Sequence, residues 1–107
     1  MKKLVVVAAL VLSSTGCARV ESTHVVTGQP QVANAATVEI VMEGQTPRPG
    51  YVEIAIVEGR GNHRAGMSGV LAQLQADARG LGANALINVR VDQGASIISV
   101  TGVAVRY

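Results

Sequence analysis

One stretch of this chain repeats its apolar residues at helical intervals, and the apolar runs on either side of it repeat at intervals of two. Met67, Val70, Leu71, Leu74, Ala78 and Leu81 fall three or four positions apart, with Gln73, Gln75, Asp77 and Arg79 between them. That spacing predicts an amphipathic helix of about four turns. Ahead of it, residues 37–43 set Val38, Ile40 and Met42 against Thr37, Glu39 and Glu43, with Val41 out of pattern, and residues 51–58 set Val52, Ile54 and Ile56 against Tyr51, Glu53 and Glu58. Behind it, residues 84–92 place Ala85, Ile87, Val89 and Val91 on one face, and residues 96–106 do the same with Ile98, Val100, Gly102 and Ala104. Alternation marks strands with one buried side. The expected fold is α+β, a small four-stranded antiparallel or mixed sheet in the order β-β-α-β-β, with the one helix packed on one face.

The connections fit that outline. Residues 44–50 contain two Gly and two Pro, a loop that would join the first two strands as an antiparallel hairpin, and Gln93-Gly94-Ala95 is the turn of a second hairpin. Residues 59–66 form a Gly-rich loop before the helix, with Ser68 as the expected N-cap, and Gly80 and Gly82 supply left-handed positions after it. The chain has no Phe or Trp and only two Tyr, so the core must be built from Val, Ile, Leu and Ala. A domain of this size buries only about 60 % of its unfolded surface, which favours modest stability or self-association.

The N-terminus reads differently. Lys2 and Lys3 precede the apolar run of residues 4–12, followed by Ser13, Ser14, Thr15, Gly16 and Cys17, the layout of a secretory signal. Nine apolar residues span roughly 14 Å as a helix, about half of a hydrocarbon core, too short for a lasting span. The end of the segment resembles the lipobox of bacterial lipoproteins, in which the cysteine is thioether-linked to diacylglycerol and becomes the mature N-terminus. On that resemblance residues 1–16 are a signal peptide and Cys17 is the lipidation site. Plain secretion, with Cys17 a free thiol or removed, is the competing reading. Cys17 is the only cysteine, so no intramolecular disulfide can form. Ala18, in place of Asp, favours by similarity an outer-membrane destination, with the domain facing the periplasm.

Residues 17–36 mix small and polar residues around Gly28 and Pro30 without sustained period, and read as a lipidated N-terminus and flexible tether with a reach of about 25 Å. The alternative is that residues 25–27 pair as an edge strand. Residues 37–107 form the folded domain. Removal of residues 1–16 takes Lys2 and Lys3 away and leaves seven Arg against seven acidic groups. The basic balance of the precursor, the usual hint of nucleic acid, disappears with it. No Lys remains for Schiff-base or P-loop chemistry.

Residues 70–91, centred on Leu81-Gly82-Ala83-Asn84-Ala85, and residues 100–106, with Thr101-Gly102-x-Ala104-Val105, look like the C-terminal half of the YbjQ-like family, which carries a heavy-metal-binding label. The pattern is also similar to the outer-membrane sensor lipoproteins of the Rcs envelope-stress pathway. The resemblance covers about 40 residues well and implies this fold, ring-like homo-oligomers and, on the lipoprotein side, stress sensing. The disulfide-forming cysteines of the sensor lipoproteins are absent here. The joint has its own physical reason: Gly82 can take a positive φ and Asn84 can bond nearby backbone.

Little in the chain points to catalysis. Ser68, His63 and Asp77 lack any recognisable nucleophile elbow, and Glu39 and Glu53, placed on the polar faces of two strands, read as solvent-facing charges. His24, His63 and Cys17 are too few and too scattered for a metal site. No cofactor, no metal and no enzyme activity are expected. The remaining candidate is the loop of residues 59–66, where Arg60, Asn62, His63 and Arg64 could meet an anion or a protein partner. The expected function is that of a membrane-anchored envelope lipoprotein acting as a binding or self-assembly module, through a second copy or an envelope protein. A stress sensor and an anion or metal carrier are the alternatives.

Overall fold

The computed structural model describes residues 19–29, 31–33 and 37–107. Within them the chain forms strand β1 (Val20–Val26), strand β2 (Glu39–Met42), strand β3 (Val52–Asn62), helix α1 (Gly66–Gly80), strand β4 (Ala85–Gln93) and strand β5 (Ile97–Arg106). The strands make one mixed sheet in the order β1-β3-β5-β4-β2, and α1 lies on one face of it, burying Val70, Leu74 and Ala78. The α+β class and the β4–β5 hairpin agree with the sequence. The sheet has five strands, not four.

The fifth strand comes from the stretch expected to be a tether. β1 pairs antiparallel with β3 from Val20 opposite Gly61 to Val26 opposite Ala55, so all of residues 20–26 is folded edge, longer than the three-residue alternative. The chain continues close to the domain: the Thr27 and Gly28 amides donate to the Ile54 carbonyl, and the Gln31 amide donates to Leu81 O at 3.0 Å. Gly28 follows the strand rather than interrupting it.

The first expected hairpin does not form. β2 pairs in parallel with β4 at the far edge, three strand spacings from β3, about 14 Å. Residues 43–51 are long enough to cross that distance, and they do so over the sheet face opposite α1. Both tyrosines hold this crossing. The Arg48 amide donates to the Tyr107 hydroxyl at 3.2 Å, the Arg48 guanidinium sits 4.1 Å from the Tyr107 ring centre, and Tyr51 meets Tyr107 edge-on at 6.4 Å. Beneath them lies a second, small core of Val41, Ala85, Ile87 and Val105 with Val103 and Tyr107. Val41 breaks the alternation of its strand because it belongs to this core, while Val38 and Ile40 belong to the one under α1.

Two bulges set which residues face which core. At Ile54 the β3–β5 register slips by one, so that Ala55 and Val57 turn towards α1 and Ile56, expected inside, is 49 % exposed. At Asn88, φ is +54°, and Asn88 and Val89 together oppose Gly102, as the step from Ile87–Val103 to Arg90–Thr101 requires. The four residues expected on one face of β4 are thereby split: Ala85 and Ile87 face the crossing loop, Val89 and Val91 face α1. A positive φ costs an ordinary L-residue about 1–2 kcal/mol, and Asn tolerates it better than most.

The helix ends are also corrected. α1 is preceded by Ala65 without a side-chain cap, so Ser68 lies inside the helix, as does Gly80. At the C-terminus the Ala83 amide donates to Ala78 O and the Gly82 amide to Arg79 O, each at 3.0 Å, with Gly82 at φ +88° and Ala78 and Ala83 both buried. This is a Schellman motif. Substituting Asn88 by Val should lower the unfolding free energy by about 1–2 kcal/mol, whereas Asn88→Gly should leave it within about 0.5 kcal/mol. Urea titration of both variants checks this, and equal midpoints would remove the bulge from the account.

Candidate functional site

The Gly-rich stretch before α1 is first a packing device. Gly59 and Gly61 are strand residues, and a Cβ on Gly59 would overlap Leu74 and press on Val70, while one on Gly61 would stand 2.6 Å from Val70 Cγ2. Only glycine lets the helix lie this close to β3. The four candidate residues of the stretch do not converge on one site. Arg60 projects from β3 and pairs with Glu58 at 3.5 Å. The Asn62 Oδ1 accepts from the Arg19 amide at 3.2 Å and from the Ala65 amide at 3.1 Å. His63 Nε2 lies 3.1 Å from Ala95 O, where it donates to the carbonyl, and Arg64 is exposed in the turn.

Asn84 is a joint in three directions. Its amide donates to Val105 O, its carbonyl accepts from the Glu39 amide, and its Oδ1 accepts from the Tyr107 amide at 3.0 Å. With Gly82, whose carbonyl accepts from Arg106 Nη1 at 2.9 Å, it ties the starts of β2 and β4 to the end of β5. Cys17 lies outside the described residues. Glu39 and Glu53 do not share adjacent strands: Glu39 pairs with Arg48 at 3.1 Å, and Glu53 accepts from Thr27 Oγ1 at 2.7 Å on the other side of β5 and β4.

One polar cluster was not legible beforehand. The Asp77 carboxylate, on the face of α1 above β1, lies 3.1 and 3.2 Å from His24 Nδ1 and accepts from Ser22 Oγ at 3.4 Å. Ser, His and Asp are the residue types of a nucleophilic triad, but the order is wrong. A triad places the imidazole between hydroxyl and carboxylate, whereas here the carboxylate lies between the other two. The arrangement holds the edge strand to the helix. The one signal available in the sequence was that Ser22 and His24 are two apart, on one side of a strand, within a stretch without other periodicity.

Alternation then places Glu21, Thr23 and Val25 on the opposite, helix-free face. The register aligns Val25 with Ile56, Val103 and Ile87 across β1, β3, β5 and β4. Exposure along this apolar row runs from 6 % at Ile87, under the crossing loop, to 49 % at Ile56 and 67 % at Val25. The next row is Thr23, Glu58, Thr101 and Arg90, and the one beyond it Glu21, Arg60, Ser99 and Asp92. The loop thus covers the β4 half of the face and leaves the β1 half bare, next to a sheet edge that has no further strand among the described residues. Bare apolar side chains beside an open edge form a surface suited to protein contact.

Among the described residues, no group of three His, Cys, Asp or Glu is placed to hold a metal ion, and no helix is long and apolar enough to cross a membrane. Compared with known proteins, the chain matches no family model, no curated protein and no solved structure. Replacing Asp77 with Ala should lower stability by about 1 kcal/mol and speed amide exchange in β1 well beyond that in β4 and β5. Hydrogen exchange resolved by strand checks this, and unchanged protection of β1 would show that the contact does not hold the edge.

Proposed function

We propose that this chain is an envelope lipoprotein, attached to the outer membrane through lipid on Cys17, whose α+β domain works by binding, foremost to a second copy of itself. The lipobox-like end of the N-terminal apolar segment supports the anchor. The observation that carries the binding reading is the bare row of Val25 and Ile56 beside the open β1 edge. Two copies meeting face to face about a two-fold axis along the strands would bury both apolar strips against each other. An extended envelope protein could add to the same edge. The YbjQ-like resemblance, with the ring assemblies it implies, points the same way.

Attachment is tested by intact mass and fractionation of the native protein beside Cys17→Ser. A mass carrying diacylglycerol and acyl chains, in the outer-membrane fraction and lost in the variant, is the expected result, because two or more acyl chains give effectively permanent anchorage. Self-association is tested by sedimentation of the native protein in detergent. Ile56→Glu should shift it to monomer while changing unfolding by no more than about 0.5 kcal/mol, as exposed positions do. A native protein that is monomeric throughout, or an Ile56→Glu form that still associates, rules out this surface as the site of self-assembly.

A further inference from the structure

Resting on that lipoprotein reading, we infer that the domain stands on the bilayer in one orientation, with the sheet end formed by Arg19, the turn at residues 62–67 and the turn at residues 93–97 against anionic lipid headgroups. The geometry begins at Arg19, whose carbonyl accepts from the Asn62 amide at 3.1 Å and whose amide donates to Asn62 Oδ1 at 3.2 Å. The chain is therefore fixed to the sheet from residue 19 onward. Cys17 is two residues earlier, and two extended residues reach about 7 Å at most. A lipid on Cys17 cannot be far from this end of the sheet, whatever the rest of the domain does.

The end itself has the chemistry of a headgroup contact. Neither turn contains an acidic residue, and the nearest acids in the chain on either side of them are Glu58, Asp77 and Asp92. Arg19 and Arg64 are exposed there, and a depression opens at the same end, lined by Arg19, Arg60, Asn62 and Ile97 with Glu21 as its one acidic residue. Two apolar side chains stand out of the tip, Ile97 at 49 % and Met67 at 43 % exposure. Arginines for phosphate oxygens beside aliphatic groups that enter the interface are the two components of peripheral membrane contact. The tip is held together by the His63 bond to Ala95 O, so both turns meet the surface as one piece. The opposite end carries Glu39, Arg48 and Glu53 with the crossing loop, and points away from the bilayer.

The test uses the native lipidated protein in vesicles of phosphatidylcholine with about a third phosphatidylglycerol. Lipidation leaves no free thiol, so Ile97→Cys and, separately, Pro49→Cys can each carry one environment-sensitive fluorophore. The expected result is iodide quenching about threefold weaker at position 97 than at position 49, with quenching at 97 by a spin label within the lipid. Adding Arg19→Glu and Arg64→Glu should restore iodide access at 97 while the chain still floats with the vesicles. Equal quenching at both positions in a chain that floats and carries lipid overturns the orientation alone. A chain with no lipid and no flotation overturns the anchor and the orientation together. Shielding of position 97 in native envelope vesicles but not in pure lipid assigns the tip to a protein partner and overturns the proposal.

Discussion

The approach of α1 to the two glycines of β3 is the contact on which the rest of the structure depends. A core without Phe or Trp has no long side chain to bridge a wide gap between helix and sheet, so the helix must lie low. Gly59 and Gly61 permit this, leaving Val70 and Leu74 directly over the backbone of β3, in a core closed by Ile54, Val57, Leu86, Val89 and Val100. Close packing of short aliphatic groups recovers dispersion contacts that bulkier residues would otherwise supply. Any side chain at Gly59 would lift the helix. Because α1 is fixed over β3, Asp77 comes to stand above β1, and the Schellman turn at Gly82 comes to stand where Gln31 passes beneath it.

The second organising constraint is that a five-stranded sheet with one helix has a whole face left to cover. The chain covers half of it with residues 43–51, fastened by Tyr51, Tyr107 and Arg48. The bulges at Ile54 and Asn88 divide the apolar residues of β3 and β4 between the two faces, since each inserted residue reverses the phase of everything after it. Ile87 is delivered to the loop side and sealed there, whereas Ile56 is delivered to the same side beyond the loop's reach and stays bare. The exposed strip is therefore a consequence of strand phase and loop length together, and neither element explains it alone.

These facts also say which parts of the fold were legible in the sequence. The helix, the β4–β5 hairpin and the Gly82–Asn84 joint follow from short-range pattern and turn chemistry, and they appear where the residues place them. The pairing of β2 was not legible, because seven loop residues fit a hairpin and a crossing equally well, and the choice is made by aromatic and cation–π contacts with Tyr107, 59 residues from Arg48. The phase of β3 and β4 departs from simple alternation for a local reason: alternation counts every residue, and each bulge inserts one that the partner strand does not match. The sequence of β1 resembles a tether because an edge strand covered on one side by Ser22 and His24 has no apolar period to show. In the Gly-rich stretch the charged residues stand out in the sequence, while the glycines between them carry the packing.

Incorporating β1 into the sheet changes what a lipid on Cys17 would do. A tether of nineteen flexible residues would let the domain sample a sphere of about 25 Å, and its surfaces would meet partners from any direction. With the chain fixed at Arg19, only two residues would separate the sheet from such an anchor, and the strands would run away from the bilayer for the length of β3, eleven residues, about 35 Å. The bare strip of Val25 and Ile56 would then run along the side of an upright domain, at a constant height above the lipid. Copies anchored in one leaflet would present the same strip at the same height, and encounter would be confined to two dimensions. Restricting orientation and height in this way would raise effective concentration without any added contact, so a strip of few apolar residues would hold copies together more tightly at the membrane than in detergent.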